Sequence, residues 1–405
     1  MNTCTTYANN LMPGGVSSPV RSGGELFDHP PRFTHAKGHH LYIHDRAYLD
    51  YVNGFGMHIL GHQNDVQSFA LSQHNNQFIP GGVCHDNELK LAEIILERTQ
   101  MSEKIRFCVS GTEACMTALR IARHHKQKKG YVTINGGYHG HGDLLLDKQN
   151  PYHFQVPFND IQALNNIFSQ HHNTIAALMI EPICGNMGMI MPRPGYLAAC
   201  AQLCRQYDII LICDEVMTGF RTQYSTVSHL AGIQPDLMCF AKVIGGGLPL
   251  ACVAGKSELM DQLAPVGKVT HAGTYASLHP CVLTGMATMS YLKPKHYHEL
   301  NMQTKEITES LKARANHFGV PLQTSQQGGM WGFFFSEKAV HNHSDIPENH
   351  HKIHKIFYQC LFKNMIYLPP SSMEACFINL SHQPKHLRQF IQASEHAFKE
   401  IKLQI

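Results

Sequence analysis

Three short apolar runs in the middle of the chain each stop at a charged residue, and this pattern limits the possible folds more than any other feature. The runs and the charged residues that end them are Ile175–Ile180 with Glu181, Ile209–Cys213 with Asp214, and Leu237–Ala241 with Lys242. Apolar residues at helical spacing between Tyr196 and Tyr207 separate the first two runs. Short apolar strands that alternate with helices are typical of a parallel sheet covered on both faces. Open sheets of this kind bind ligands beyond the carboxyl ends of their strands, so the charged residues predict a site there.

The two ends of the chain follow other patterns and divide it into regions. The predicted regions are an N-terminal segment (1–50), a large domain (51–285) and a smaller α+β domain (286–405). A hairpin is predicted over Lys37–Leu49, a helix near Glu299–His317, and a strand near Gly328–Phe335. We expect the N-terminal segment to pack with the small domain.

Composition argues against several classes of protein. Apolar residues make up 43% and charged residues 16%, which suits a chain with a large core. Lys and Arg number 33 against 30 Asp and Glu, and no basic run is present, so nucleic-acid binding is not expected. No stretch approaches about 18 consecutive apolar residues, the length that a membrane-spanning helix needs. Residues 1–20 lack the basic start and apolar segment of a secretory signal, so we expect a cytosolic protein without a membrane span.

The chain has 13 cysteines and 30 histidines, which raises the question of metal binding. The cysteines are irregularly spaced and none forms a Cys-x-x-Cys pair, so we expect reduced thiols buried in the core. Adjacent histidines such as His350 and His351 point in different directions on a helix and are poor chelators. His139 and His141 have the spacing of metal ligands, although hydrogen bonding within a loop is the preferred interpretation. No metal site is predicted.

The segment Arg106–Ala114 is the strongest local signal for a ligand. A short strand turns at Ser110, Gly111 and Thr112 into a helix. Glycine lets a backbone approach a ligand closely, and the free N–H groups of a helix start favour an anion such as phosphate. An ordinary Ser/Thr helix cap is the alternative interpretation.

Asp214 and Lys242 extend this signal to a cofactor. A carboxylate at the end of an apolar strand must be paired or hydrogen-bonded, because burying it alone is costly. A lysine at the edge of an apolar sheet is desolvated, which lowers its pKa and makes its amine nucleophilic, whereas a surface lysine would keep its charge in water. The glycines Gly245–Gly247 favour the buried position. A phosphate site, a buried acid and a Schiff-base lysine together match the needs of pyridoxal 5'-phosphate.

The sequence resembles the class III aminotransferases, which are fold-type I pyridoxal-phosphate enzymes, and within them the glutamate-1-semialdehyde 2,1-aminomutase branch. The segments that carry the resemblance are Pro13–Arg21, Ser110–Ala114, Gly137–His141, Glu181–Asn186, Asp214–Arg221, Lys242–Gly247, His271–Thr274 and Pro369–Ala375. The resemblance implies an α/β fold in which a mostly parallel sheet covered by helices forms the large domain. It also implies the conversion of glutamate-1-semialdehyde to 5-aminolevulinate, a step of tetrapyrrole synthesis.

The resemblance assigns cofactor-binding roles to a set of residues. They are Ser110, Gly111, Thr112, Tyr138, His139, Asp214, Lys242 and Thr274. Lys242 would form the Schiff base and move protons, and Asp214 would pair with the ring nitrogen. Tyr138 would stack on the ring, with plain core packing as the alternative. Thr274 would reach the phosphate of a partner subunit, which implies a homodimer. The pyridoxamine 5'-phosphate form of the cofactor would occur in the cycle.

The resemblance also implies a site for a small amino-aldehyde or amino-acid substrate. Arg21 would bind the substrate carboxylate, since a guanidinium forms paired hydrogen bonds with it. Phe55 would line the substrate side, where the aminomutases usually have Trp. Glu215 and Glu374 would line the pocket as well, Glu374 with a catalytic role. For Glu215 a structural ion pair is an equal alternative.

One departure from the family pattern leaves the reaction open. Family members have a long Gly/Ser-rich lid after the Tyr-His-Gly-His motif, and the interval Asp143–Pro157 lacks most of it. A site without its lid would release intermediates. The first hypothesis is therefore the aminomutase, and the second is an intermolecular transaminase that uses a separate amino donor. A catalytically silent homologue is the third, which the presence of Lys242 and Asp214 disfavours.

Overall fold

The computed structural model describes residues 2–27, 29–147 and 149–404. Its strands are β1 His35–Lys37, β2 His40–Ile43, β3 Arg46–Asp50, β4 Lys104–Cys108, β5 Gly130–Ile134, β6 His153–Val156, β7 Ile175–Ile180, β8 Ile210–Asp214, β9 Leu237–Phe240, β10 Ala251–Gly255, β11 Gln323–Gln327, β12 Met330–Phe334, β13 Ile366–Tyr367 and β14 Cys376–Phe377. Its helices are α1 Asn2–Leu11, α2 Asp65–Asn76, α3 Asp86–Thr99, α4 Gly111–Lys126, α5 Asp143–Leu146, α6 Ile161–His171, α7 Tyr196–Gln206, α8 Val227–Leu230, α9 Ser257–Met260, α10 His279–Tyr291, α11 Pro294–Phe318, α12 His350–Lys363 and α13 Pro384–Gln404.

The central sheet has the strand order β4-β10-β9-β8-β7-β5-β6. Neighbouring strands from β9 to β6 are parallel, and β10 is antiparallel to both β9 and β4. The predicted mostly parallel α/β sheet is therefore confirmed. Every residue of β5, β7, β8, β9 and β10 is buried, which explains why these strands are apolar apart from Thr133 and Asp214.

Helices cover both faces of the central sheet. Helix α4 buries Ala114, Ala118, Ile121 and Ala122 against one face, and the small alanines allow a close approach to β9 and β10. Helices α6 and α7 pack on the opposite face through side chains such as Phe168. The sheet thus forms the middle layer of an α/β/α arrangement.

The two chain ends share a smaller sheet. Strands β1, β2 and β3 are antiparallel, and β13 joins β3 in parallel through the pairs Leu49–Ile366 and Asp50–Tyr367. Strands β11, β12 and β14 form another antiparallel sheet, packed against α11. Among the described residues no helix has the length and apolar character that crossing a membrane requires.

Several sequence-based predictions of elements are confirmed with small shifts in their ends. The predicted helix over Tyr196–Tyr207 is α7, and the hairpin predicted over Lys37–Leu49 is β2 with β3. The three apolar runs are β7, β8 and β9. Strand β9 ends at Phe240, one residue before the predicted end, because the chain turns there to present Lys242.

Candidate active site

A cavity of about 210 Å³ lies beside the carboxyl ends of the parallel strands. Most of its wall comes from three places, namely the start of α4, the loop after β5 and the ends of β7, β8 and β9. Its lining residues are Gly111, Thr112, Cys115, Tyr138, His139, Gly140, Glu181, Asn186, Asp214, Val216, Met217, Ala241 and Lys242. The three charged residues that end the apolar strands therefore meet at one site, as the sequence predicted.

The start of α4 forms one end of the cavity. The Ser110 hydroxyl caps the helix by accepting a hydrogen bond from Glu113 N–H at 3.2 Å, so its side chain serves the helix. Gly111 and Thr112 line the cavity. A Cβ on Gly111 would lie 2.9 Å from Val216, so only glycine allows this close packing. Free N–H groups at the start of a 16-residue helix provide a site for a phosphate.

Asp214 ends β8 and is 5% exposed. Its Oδ1 accepts a hydrogen bond from Val216 N–H at 3.0 Å. Its Oδ2 accepts from His139 Nδ1 at 2.8 Å and from the Cys115 thiol at 3.2 Å. Burial acts to lower the pKa of His139, but the hydrogen bond and charge of Asp214 outweigh burial and raise it. The carboxylate therefore has the partners that its burial requires.

Lys242 reaches the cavity from a strained backbone. It has a φ of +53°, in the left-handed region that costs a non-glycine residue about 1–2 kcal/mol. No hydrogen bond or ion pair within the described part of the chain joins its Nζ to another side chain. Burial lowers the pKa of the amine, while the carboxylates of Glu374, Glu181 and Asp214 partly offset that effect. The lowered pKa favours the neutral form of the amine, which is the nucleophile, relative to an exposed lysine.

Glu374 and Glu181 face Lys242 from other parts of the chain. Burial raises the pKa of Glu374, the charge of Lys242 lowers it and the charge of Glu181 raises it, and the resulting pKa is about 7. Glu181 accepts hydrogen bonds from Tyr138 N–H at 3.1 Å, Gly185 N–H at 3.2 Å and the Asn186 side chain at 3.1 Å. Burial raises the pKa of Glu181 despite these bonds. A carboxyl group whose pKa is about 7 can exchange a proton with the neighbouring amine near neutral pH.

Polar groups in and beside the cavity that have no protein partner are consistent with a polar cofactor. Nε2 of His139 and Oε2 of Glu374 are buried with no hydrogen-bond partner among the described residues. Tyr138 is half exposed at the cavity, where its ring offers a flat surface. A phosphate site, a flat ring surface, a buried acid and an available amine fit pyridoxal 5'-phosphate.

Comparison with known proteins agrees with this geometry. The model of the family described as Aminotransferase class-III matches residues 28–160 and 146–371. The chain is 34% identical to a protein of Exiguobacterium sibiricum named glutamate-1-semialdehyde 2,1-aminomutase 2, over 97% of this chain and 95% of the relative. The chain belongs to the class III aminotransferase family.

Solved structures show the same fold. An ω-transaminase from Sphaerobacter thermophilus superposes with a TM-score of 0.92 at 23% identity, covering 98% of this chain and 96% of that one. A structure described as a transaminase with PLP bound gives a TM-score of 0.91 at 21% identity, covering 100% of this chain and 98% of that one. The fold is therefore shared along the whole chain.

Six predicted site residues of this class III aminotransferase lie outside the cavity lining, and they are Arg21, Phe55, Ser110, Glu215, Thr274 and Glu374. Arg21 is exposed on the turn Pro19–Ser22, and its charge acts on Tyr367. Phe55 is partly buried with a φ of +56°, in the loop after β3. Thr274 is exposed on the loop before α10. The predicted contacts of Arg21, Phe55 and Thr274 with substrate or cofactor remain predictions.

The expected position of Glu215 in the pocket is not what the structure shows. Glu215 is fully buried, and its carboxylate accepts hydrogen bonds from the Thr218 hydroxyl, Val227 N–H and both the N–H and hydroxyl of Ser228, at 2.7–3.1 Å. Successive side chains of an extended backbone point to opposite sides, so Asp214 faces the cavity and Glu215 faces away. Glu215 fixes the start of α8, a structural role.

Sequence reasoning placed Glu181 at the site without a chemical role, and it missed Cys115 and Asn186. Glu181 and Asn186 lie in a segment that carried the family resemblance, and Cys115 lies one helical turn after Gly111. That spacing puts Cys115 on the same face of α4 as Gly111, a signal that could have identified it. Ligand-type atoms of Cys115, His139 and Asp214 lie within 4.8 Å of one another. In this structure Cys115 and His139 each form a hydrogen bond with Asp214. His141 likewise bonds to Thr112, at 3.3 Å.

Proposed function

We propose that this chain is a pyridoxal-phosphate-dependent aminomutase that converts glutamate-1-semialdehyde to 5-aminolevulinate. The observation that carries the proposal is the 34% identity to an enzyme of that name over 97% of the chain. The cavity supports it, because each group that the cofactor needs lies there with the required burial. The expected substrate is a small amino-aldehyde, which suits a cavity of about 210 Å³ beside the cofactor groups.

Residues of the cavity would hold the cofactor at three points. Asp214 would pair with the ring nitrogen, Gly111 and Thr112 would bind the phosphate at the start of α4, and Tyr138 would cover the ring. When bound, pyridoxal phosphate supplies an electron-accepting ring that allows bonds at the amino-bearing carbon to break. The hydrogen bonds from Val216 N–H and His139 to Asp214 keep this carboxylate oriented toward the cavity.

Lys242 and Glu374 would handle the protons of the reaction. Lys242 Nζ takes a proton from one substrate carbon and returns it to another, which requires an amine that is neutral for part of the time. Burial of the amine supplies this property by lowering its pKa. Glu374, with a pKa of about 7, can accept a proton from the amine and return it near neutral pH.

Arg21 and Phe55 would complete the substrate side. Arg21 would bind the carboxylate of the substrate, and Phe55 would pack against its carbon chain. Both lie on N-terminal segments outside the cavity lining, so substrate binding would need these segments to approach.

A homodimer would complete each site. Large apolar side chains are exposed on α2, on α3 and on the loops around Thr274, and they are Phe69, Phe78, Val83, Leu89 and Tyr275. Gly81 packs against Thr274 and Tyr275, so the loops on which several of them lie are adjacent. Exposed apolar patches of this kind mark protein interfaces. We propose that this surface binds a second copy and brings Thr274 to the phosphate of the partner.

An intermolecular transaminase is the second candidate, because the interval 143–157 forms structure other than a lid. Helix α5 and strand β6 take up most of this interval, and β6 is an edge strand of the central sheet. Tyr138 remains 48% exposed. A site left open would release a reaction intermediate, which a separate amino donor would then have to replace.

One assay separates these candidates. The protein, loaded with the pyridoxamine 5'-phosphate form of the cofactor, is incubated with glutamate-1-semialdehyde and no amino donor. The aminomutase gives 5-aminolevulinate over many turnovers. One turnover followed by a stall that an added amino donor relieves supports the transaminase, and no product under either condition contradicts both.

A further inference from the structure

The environment of Asp214 assigns a role to a thiol. Cys115 lies in the second turn of α4 and is 1% exposed. Its Sγ is 3.2 Å from Asp214 Oδ2, the oxygen that also bonds to His139 at 2.8 Å. The other oxygen, Oδ1, accepts only Val216 N–H among the described residues, at 3.0 Å.

The thiol of Cys115 has a proton to donate. Its hydrogen bond with the Cys239 thiol, its burial and the charge of Asp214 all raise the pKa of Cys115 well above its ordinary value. A carboxylate oxygen is a far stronger acceptor than a thiol sulfur. The S–H of Cys115 therefore points to Asp214 rather than to the sulfur of Cys239.

Counting acceptor positions shows what this donor achieves. A carboxylate offers about four acceptor positions, two on each oxygen. Cys115 and His139 occupy both positions of Oδ2, and Val216 N–H occupies one position of Oδ1. One position remains, and it is on Oδ1.

We infer that Cys115 is a positioning residue, which saturates Oδ2 of Asp214 so that Oδ1 alone accepts the ring N–H of the cofactor. This inference rests on the proposed function, since it assumes that the bound cofactor carries a protonated ring nitrogen. Without the thiol, a second acceptor position of Asp214 becomes free, this time on Oδ2. The carboxylate of Asp214 also loses one of the hydrogen-bond donors that favour its charged form.

The test compares three variants of the full-length protein. Cys115→Ala removes the donor, Cys115→Ser keeps a donor at the same position, and Cys204→Ala is the matched control. Cys204 is also a buried thiol, but it lies in α7 with apolar neighbours on the opposite face of the sheet. The measurements are the dissociation constant of pyridoxal 5'-phosphate, from titration of the cofactor-free protein, and the position of its visible absorbance band.

Losing one hydrogen bond of ordinary net strength should weaken the binding of pyridoxal 5'-phosphate to Cys115→Ala about fivefold. The visible absorbance band of the bound cofactor should shift as well. Cys115→Ser should restore most of both properties, and Cys204→Ala should leave both unchanged. The inference is overturned if Cys115→Ala binds the cofactor as tightly as the wild type. It is also overturned if Cys115→Ser is as weak as Cys115→Ala, because packing would then explain the loss.

These measurements need no substrate, so their outcome is separate from that of the proposed function. A wild-type protein that binds the cofactor but makes no 5-aminolevulinate would contradict the proposed function and leave the role of Cys115 standing. A wild-type protein that isomerises glutamate-1-semialdehyde while Cys115→Ala binds the cofactor normally would contradict the role of Cys115 alone.

Discussion

Replacing Glu374 by Gln should change how the stability and activity of the protein depend on pH. Burial raises the pKa of this carboxyl from 4.5 to about 7. A pKa difference of that size means that the folded state disfavours the ionised carboxylate by roughly 3 kcal/mol, relative to the unfolded state. Since the folded pKa is the higher one, the folded state binds the proton more tightly. The stability from this group is fully present below 4.5 and is lost as the pH rises through 7.

The free energy of unfolding of the cofactor-free protein tests this reasoning. Glutamine resembles the protonated carboxyl, so Glu374→Gln and the wild type should agree at about pH 5 and differ at about pH 8, where the variant gains up to roughly 3 kcal/mol. Glu337→Gln, a change at an exposed carboxylate, should show no such pH dependence. Equal differences between variant and wild type at both pH values would refute the reasoning.

The activity of the same variant provides a second measurement. In the wild type, kcat/KM should show an ionisation near pH 7 that belongs to Glu374. In Glu374→Gln the activity should fall, and this ionisation should disappear from the profile. An unchanged profile would exclude Glu374 from the proton transfer.

Three further predictions concern the lysine, the buried glutamate and the proposed dimer. Lys242→Ala should abolish activity and the visible absorbance band of bound pyridoxal 5'-phosphate. The cofactor-free variant should unfold no earlier than the wild type, because the buried amine has no hydrogen-bond partner among the described residues. An active variant that keeps this band would contradict the prediction. Glu215→Gln should lower the free energy of unfolding by about 2–3 kcal/mol, because the N–H donors of the amide would face the N–H donors of Val227 and Ser228. Urea denaturation measures this loss, and steady-state kinetics should show little change in KM. Phe78→Asp should turn a dimer into a monomer by light scattering, whereas Leu230→Asp, also at an exposed apolar residue, should not.

Much of the site was predictable because local patterns place its residues. Apolar runs with charged ends predict parallel strands, and the carboxyl ends of such strands lie at one edge of the sheet. Glu181, Asp214 and Lys242 therefore had to meet there, whatever the rest of the chain does. The start of α4 was equally visible, since a Ser cap before a glycine and alanines at helical spacing are local signals.

The doublet His350 and His351 had no explanation in the sequence, and the tertiary structure gives it one. His350 accepts a hydrogen bond from Phe335 N–H at 3.2 Å and bonds through its other nitrogen to the carbonyl of Ser372 at 3.3 Å. His351 bonds to the Ser372 hydroxyl at 2.5 Å. Both histidines thus hold the loop that leads to Glu374, and no local pattern predicts such partners.

The sequence by itself determined the three strands that end in charged residues, the helix between the first two, the start of α4 and the edge of the sheet where the charged residues gather, because these depend on periodicity and on neighbours in the chain. Only the tertiary structure decided that Glu374 arrives beside Lys242, that Cys115 donates to Asp214, and that Glu215 turns away from the cavity. Such contacts join residues far apart in the chain or depend on which side of the backbone a side chain leaves. Packing of the whole molecule sets them, and with them the pKa values on which the chemistry depends.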